Sequence, residues 1–204
     1  MQRLWAVVEK YLWLGSRMIH MVHNRDSLDS RIVLLLVREE SHVRGIAKSL
    51  GESHSTVQRR LNGLAKDNVL DHKREGRNKT FFIKKNLQAK NYVYNAERQK
   101  LMELLRKYPE LSVIAEEVLE KCRERLIVIF GSYAKFTAKK ESDIDIYIET
   151  NDAEVKEWVG SIHSKIRVMI GRFDLNSQLI KEITKNHVIL RGIEGFYEKT
   201  KFLE

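Results

Sequence analysis

The chain of 204 residues is 43% hydrophobic and 32% charged, a balance that suits folded soluble domains and excludes an intrinsically disordered chain. Its single cysteine, Cys122, excludes an internal disulfide framework and suits a reducing, cytoplasmic setting, and no apolar run is long enough to span a bilayer. The net charge of +9 is lopsided: residues 1–90 hold 18 Lys and Arg against 9 Asp and Glu, whereas residues 91–204 hold 19 of each, so the first part is suited to an anionic partner.

Residues 1–22 carry Leu4, Val8, Leu12, Met18 and Val22 as the apolar stripe of an amphipathic helix, broken by Arg3, Glu9, Lys10 and Arg17. No signal peptide is evident. The stripe is expected to cover a core or to form a homodimer contact, with no role at a membrane. Asp29 or Ser30 is expected to cap a helix over 31–38. A second helix spans 43–50 and ends at Gly51, where a left-handed turn commonly closes a helix. Ser53 caps a third, running to about residue 67, with Val57, Leu61 and Leu64 as its inward stripe. Residues 69–74 and 79–83, joined by the polar turn 75–78, read as a β-hairpin.

With Val57 at the centre of the buried side, Ser55, Gln58, Arg59, Asn62 and Lys66 fall on the opposite arc of the third helix. Each can donate a hydrogen bond, as a helix in a major groove requires of its outer face. His54 and Thr56 sit near the helix start, where backbone N–H groups favour phosphate. Lys73, Arg74, Arg77 and Lys79 line the hairpin and are placed to track a phosphate backbone. Three helices and a hairpin in this order resemble the winged helix-turn-helix family over residues 29–85, and the resemblance implies double-stranded DNA as the partner of residues 1–90.

Residues 86–96 read as a linker or an interdomain helix, followed by helices over 97–107 and 111–125 separated at Pro109. Strands are expected at 126–130, 144–148, 165–170 and 187–190, and helices at 153–162 and 175–184. This alternation predicts a small mixed α and β domain over residues 91–204, and hence an α+β chain of two domains. Cys122 and Trp158 read as packing residues, and no zinc-ligand spacing surrounds the scattered histidines.

The most specific pattern is Phe130-Gly131-Ser132-Tyr133-Ala134-Lys135, followed by Ser142-Asp143-Ile144-Asp145-Ile146. Asp143 and Asp145, two apart at the start of a strand, point to one face, while Ile144, Ile146 and Ile148 point to the other. Neighbouring carboxylates repel unless a cation lies between them, and Mg²⁺ favours oxygen ligands shared with phosphates. Gly131 permits a close backbone approach, Ser132 offers a hydroxyl and an N–H, and Lys135 can neutralise phosphate charge. The paired motifs resemble the nucleotidyltransferase superfamily that includes the β-type DNA polymerases, over residues 112–192. That resemblance implies a Gly131-Ser132 turn on the phosphates of a nucleoside triphosphate and Asp143 and Asp145 on Mg²⁺.

Two departures from the family pattern stand out. Phe136 occupies a position that is usually a second glycine. The strand that should carry a third acid offers Arg167 instead, which leaves Asp174, just beyond it, as the catalytic substitute; Glu149 and Asp152 leave the far end of another strand. The expected function is Mg²⁺-dependent nucleotidyl transfer to a hydroxyl by a DNA-binding protein. The alternative is a non-catalytic DNA-binding regulator whose transferase-like domain senses nucleotide or binds a partner.

Overall fold

The computed structural model describes residues 28–202 apart from Arg77, so the apolar stripe of residues 4–22 and the hairpin-turn Arg77 lie outside the described residues. The chain divides into two compact units between Lys84 and Lys85.

The first unit contains α1 (residues 28–38), β1 (Ser41–His42), α2 (Val43–Leu50), α3 (His54–Lys66), β2 (Leu70–Glu75) and β3 (Asn78–Ile83). α2 stops at Gly51, which at φ 67° and ψ 31° returns its N–H to the Ala47 carbonyl, a conformation that costs glycine least. The Ser53 hydroxyl then accepts the Thr56 N–H at 3.1 Å and starts α3. Val57, Leu61 and Leu64 are buried, and with Ile32, Val33, Leu36 and Ile46 they form the apolar core of this unit. Each such side chain stabilises the fold by about 1.5–3 kcal/mol on burial.

β2 and β3 pair antiparallel from Leu70↔Ile83 to Glu75↔Asn78. The two-residue β1 adds to β3, giving the order β1-β3-β2. The expected cap at Asp29 or Ser30 is corrected. α1 is already helical at Leu28, and the Asp29 carboxylate lies 3.6 Å from the Arg60 guanidinium of α3. A tertiary ion pair holds this acid, and local sequence carries no sign of it.

The second unit begins with α4 (Leu87–Lys107), capped by Asn86, whose side chain accepts the Ala89 N–H at 2.8 Å. Of the two expectations for residues 86–96, a linker or a helix, the structure has the helix, as the first half of one 21-residue element. There follow α5 (Glu110–Lys121), β4 (Ile127–Phe130), α6 (Gly131–Ala134), β5 (Ile144–Ile148), α7 (Ala153–Ile162), β6 (Ile166–Ile170), α8 (Gln178–Lys185), β7 (Val188–Arg191) and α9 (Ile193–Lys199). The sheet order is β6-β5-β4-β7. β4 pairs antiparallel with β5 and β7, and β5 pairs parallel with β6.

Alternation along β5 divides the sheet into two faces. Ile144, Ile146 and Ile148 join Ile127, Ile129, Ile166, Val168 and Val188 in one core, to which α5 adds Leu111, Ile114 and Val118 and α7 adds Val159. Asp145 and Tyr147 point to the other face, where α8 packs on β4 through the buried Ile180 and Ile183 side of the helix. Arg191 at the end of β7 donates to the Leu119 carbonyl at 2.6 Å and to that of Cys122, satisfying carbonyls at the end of α5. Among the described residues no helix is long and apolar enough to cross a membrane.

Candidate functional site

The site in the second unit is built where β4 ends. Gly131 follows the strand at φ 68°, in the left-handed region, and opens the single turn α6. A Cβ built on Gly131 would lie 2.1 Å from Asp145 Oδ2. Only a glycine backbone can approach the carboxylate this closely. The Ser132 hydroxyl makes no hydrogen bond among the described residues, while its carbonyl accepts the Thr137 N–H at 3.0 Å and closes the turn.

Phe136 is held at φ 58°, so the position expected to suit glycine does carry a left-handed backbone. For an L-residue this costs about 1–2 kcal/mol. The ring is partly buried against the core, and Lys107 donates to the Phe136 carbonyl at 2.6 Å. Packing and this hydrogen bond offset the strain.

Asp145 lies between Phe130 of β4 and Arg167 of β6 in the sheet register. Arg167 thus stands on the neighbouring parallel strand beside the acid, and its guanidinium donates to Asp143 Oδ2 at 2.8 Å. The Asp145 carboxylate makes no hydrogen bond or ion pair within 4 Å among the described residues. Burial pushes its pKa above the usual carboxylate range; Arg167 opposes that shift, Asp143 and Glu182 add to it, and Lys135 opposes it. A half-buried acid beneath a glycine turn, repelled by two other acids, has the donor chemistry that a hard cation satisfies. Asp143 and Asp145 fit such an ion in donor type and face. Among the described residues, no group of three or more His, Cys, Asp or Glu side chains is placed to hold a metal.

Glu182 is the residue sequence reasoning missed. It projects from α8, and Lys135 Nζ lies 3.4 Å from its Oε1. Asp174 occupies the turn before α8, where its carboxylate accepts the Asn176 N–H at 2.9 Å. It is not among the charges that shift Asp145. The structure therefore brings Gly131, Lys135, Asp143, Asp145, Arg167 and Glu182 together and leaves Asp174 in a local turn. A helical acid reaching the site across the sheet leaves no signal in the spacing of the motifs.

In the first unit, His54, Ser55, Gln58, Arg59, Asn62 and Lys66 share one depression along α3 with Gly63. Gln58 donates to Asn62 at 3.0 Å, which orients both amides on this face. Thr56 turns toward the cap instead: its hydroxyl accepts from Ser53 at 2.9 Å. On the hairpin, Arg74 and Lys79 are exposed register partners, and Lys73 pairs with Glu40 at 2.5 Å.

Residues 111–202 match the family model of the nucleotidyltransferase domain, and this stretch of the chain carries such a domain. No curated protein matches the chain. Among solved structures, the chain is similar to the apo form of a ZitR mutant from Lactococcus lactis, at 19% identity over 52% of this chain and 80% of that one, with a TM-score of 0.35. It is similar to the adhesin competence repressor AdcR of Streptococcus pyogenes, at 19% identity over 57% and 96%, with a TM-score of 0.35. It is also similar to a toxin–antitoxin structure with AMP-PNP, at 21% identity over 52% and 79%, with a TM-score of 0.30. None of these likenesses is close enough to bear on function.

Proposed function

We propose that the second unit binds a nucleoside triphosphate with Mg²⁺ and transfers its nucleotidyl group to a hydroxyl acceptor, and that the first unit holds double-stranded DNA. The observation that carries this reading is the unpaired, half-buried Asp145 carboxylate directly beneath the Gly131-Ser132 turn. Phosphate donors and a cation-seeking acid thus meet at one point, within a domain whose family generally uses a divalent metal.

In the proposed reaction an acceptor hydroxyl, giving up its proton to solvent, attacks the α-phosphorus, the bond to the bridging oxygen of the β-phosphate breaks, and pyrophosphate leaves. Ser132 donates its hydroxyl and N–H to the phosphates. Lys135 neutralises their charge. Asp143 and Asp145 hold Mg²⁺, which supplies Lewis-acid polarisation of the phosphoryl oxygens when bound. Gly131 keeps the turn against Asp145, fixing phosphate and carboxylate at one spacing.

A second reading is favoured by the Arg167–Asp143 ion pair. By holding Asp143, Arg167 offsets the charge of one of the two acids, which eases the approach of an anion while opposing the second metal of a two-metal mechanism. The chain would then be a DNA-binding regulator that senses nucleotide. Calorimetry with the four nucleoside triphosphates, with and without Mg²⁺, tests the binding common to both readings. Pyrophosphate release with candidate hydroxyl acceptors divides them. Failure of every triphosphate to bind rejects both.

A further inference from the structure

The charged groups around Asp145 are cross-paired: Arg167 holds Asp143 at 2.8 Å, and Lys135 holds Glu182 at 3.4 Å. Two cations face three carboxylates, so both positive groups suited to phosphate are already engaged by side-chain acids. We propose that Glu182 is a specificity-determining residue of the nucleotide site, holding Lys135 so that the site favours a cation-loaded triphosphate over a bare one. This rests on the nucleotide-binding reading above.

The chemistry follows from the charges. A bare triphosphate can reach Lys135 only by displacing the Glu182 carboxylate, which then faces phosphate oxygens beside Asp145, and like charges at that range repel. A triphosphate carrying Mg²⁺ brings less negative charge, and the ion offers the carboxylates a positive partner as Lys135 turns to the phosphates. Glu182 and Lys135 sit on α8 and just after α6, elements separated by 47 residues between the paired side chains, so the pair also ties the phosphate turn to the helix opposite it. Both side chains are close to half exposed, at 43% and 49%. They can therefore exchange partners without disturbing the core, and the effect on affinity is a modest one of about three- to fivefold.

The test uses the full chain and the β,γ-imido analogues of the four nucleoside triphosphates, titrated in Mg²⁺ and in EDTA. Glu182→Gln is expected to tighten binding in EDTA by about three- to fivefold, with little change in Mg²⁺, so that the Mg²⁺-to-EDTA affinity ratio narrows. Adding Lys135→Met is expected to abolish that gain, a non-additivity that a merely structural role for Glu182 would not produce. Wild-type binding in Mg²⁺ with an unchanged ratio in Glu182→Gln overturns the proposal and leaves the nucleotide reading standing. Absence of wild-type binding to all four analogues in Mg²⁺ overturns that reading and the proposal with it.

Discussion

His187 Nε2 lies 3.1 Å from Glu97 Oε1, and the two side chains are only 6% and 1% exposed. The same Glu97 oxygen accepts the Tyr197 hydroxyl at 2.7 Å, His187 Nδ1 faces the Ile183 carbonyl at 2.9 Å, and Lys100 donates to the His187 carbonyl. Burial pushes the Glu97 carboxyl up. The hydrogen bond and charge of His187, the charge of Lys100 and the Tyr197 hydroxyl outweigh it, holding the pKa at about 2. A depressed carboxylate stabilises the fold above its unfolded pKa and loses that contribution as pH falls through its folded one. Denaturant unfolding from pH 7 downward should therefore show an acid-dependent loss between about pH 4.5 and 2 that Glu97→Gln flattens. His187→Ala, which strands a buried charge, should cost about 3–5 kcal/mol at pH 7. A loss below about 1 kcal/mol would show that water or another group satisfies Glu97.

Asp145 shifts the opposite way, and its sign is opposite too. Its raised pKa means that the ionised acid penalises the fold. The penalty is full above the folded pKa and disappears below the unfolded one. Asp145→Asn should therefore raise thermal stability at pH 7 without Mg²⁺, because it removes a half-buried charge that the fold disfavours. It should abolish Mg²⁺-dependent triphosphate binding in the same preparation. Stability and binding that fall together would instead mark Asp145 as structural.

Phe136 offers a contest between ring and backbone. Phe136→Ala loses the packed ring and keeps the left-handed strain, whereas Phe136→Gly loses the ring but relieves the strain. The glycine variant should be more stable than the alanine variant by about 1 kcal/mol. Equal stabilities from urea melts would mean that the turn relaxes once the ring is gone.

On the first unit, the side chains proposed to read bases and those proposed to bind phosphate should separate by salt. Gln58→Ala and Arg59→Ala on α3 should each cost about 1–3 kcal/mol of discrimination between a preferred and a random duplex. Arg74→Ala with Lys79→Ala should weaken all duplexes alike and reduce the salt slope by about 0.9 for each phosphate no longer neutralised. Undiminished duplex binding by the four-residue variant would show that DNA does not use this surface.

The local parts of the fold were legible because their causes are local. Ser53 followed by a Val57, Leu61 and Leu64 stripe writes a cap and a buried face into a short stretch, and Ile144-Asp145-Ile146 writes a two-faced strand. What escaped was set by distance. Glu97 and His187 are 90 residues apart, and Glu182 reaches the site from α8. Asp29 resembled a helix cap but pairs with Arg60. α9 contains Gly195 within Ile193–Lys199, a residue that weakens helix propensity, and its apolar side is defined only by the buried Ile193, Phe196 and Tyr197. The candidate site was half legible: the turn and the acid pair could be read, and the charges that engage them could not.

The close approach of the Gly131 backbone to Asp145 also works as a ruler. With Oδ2 already where a Cβ on residue 131 would collide, a longer arm at position 145 must carry its carboxylate away from its present place beside the turn. Glutamate at position 145 would keep the charge yet drive its oxygens into the turn or swing them off the shared face. The chemically nearest replacement is thus expected to be the geometrically worse one, since it keeps the charge and loses its place.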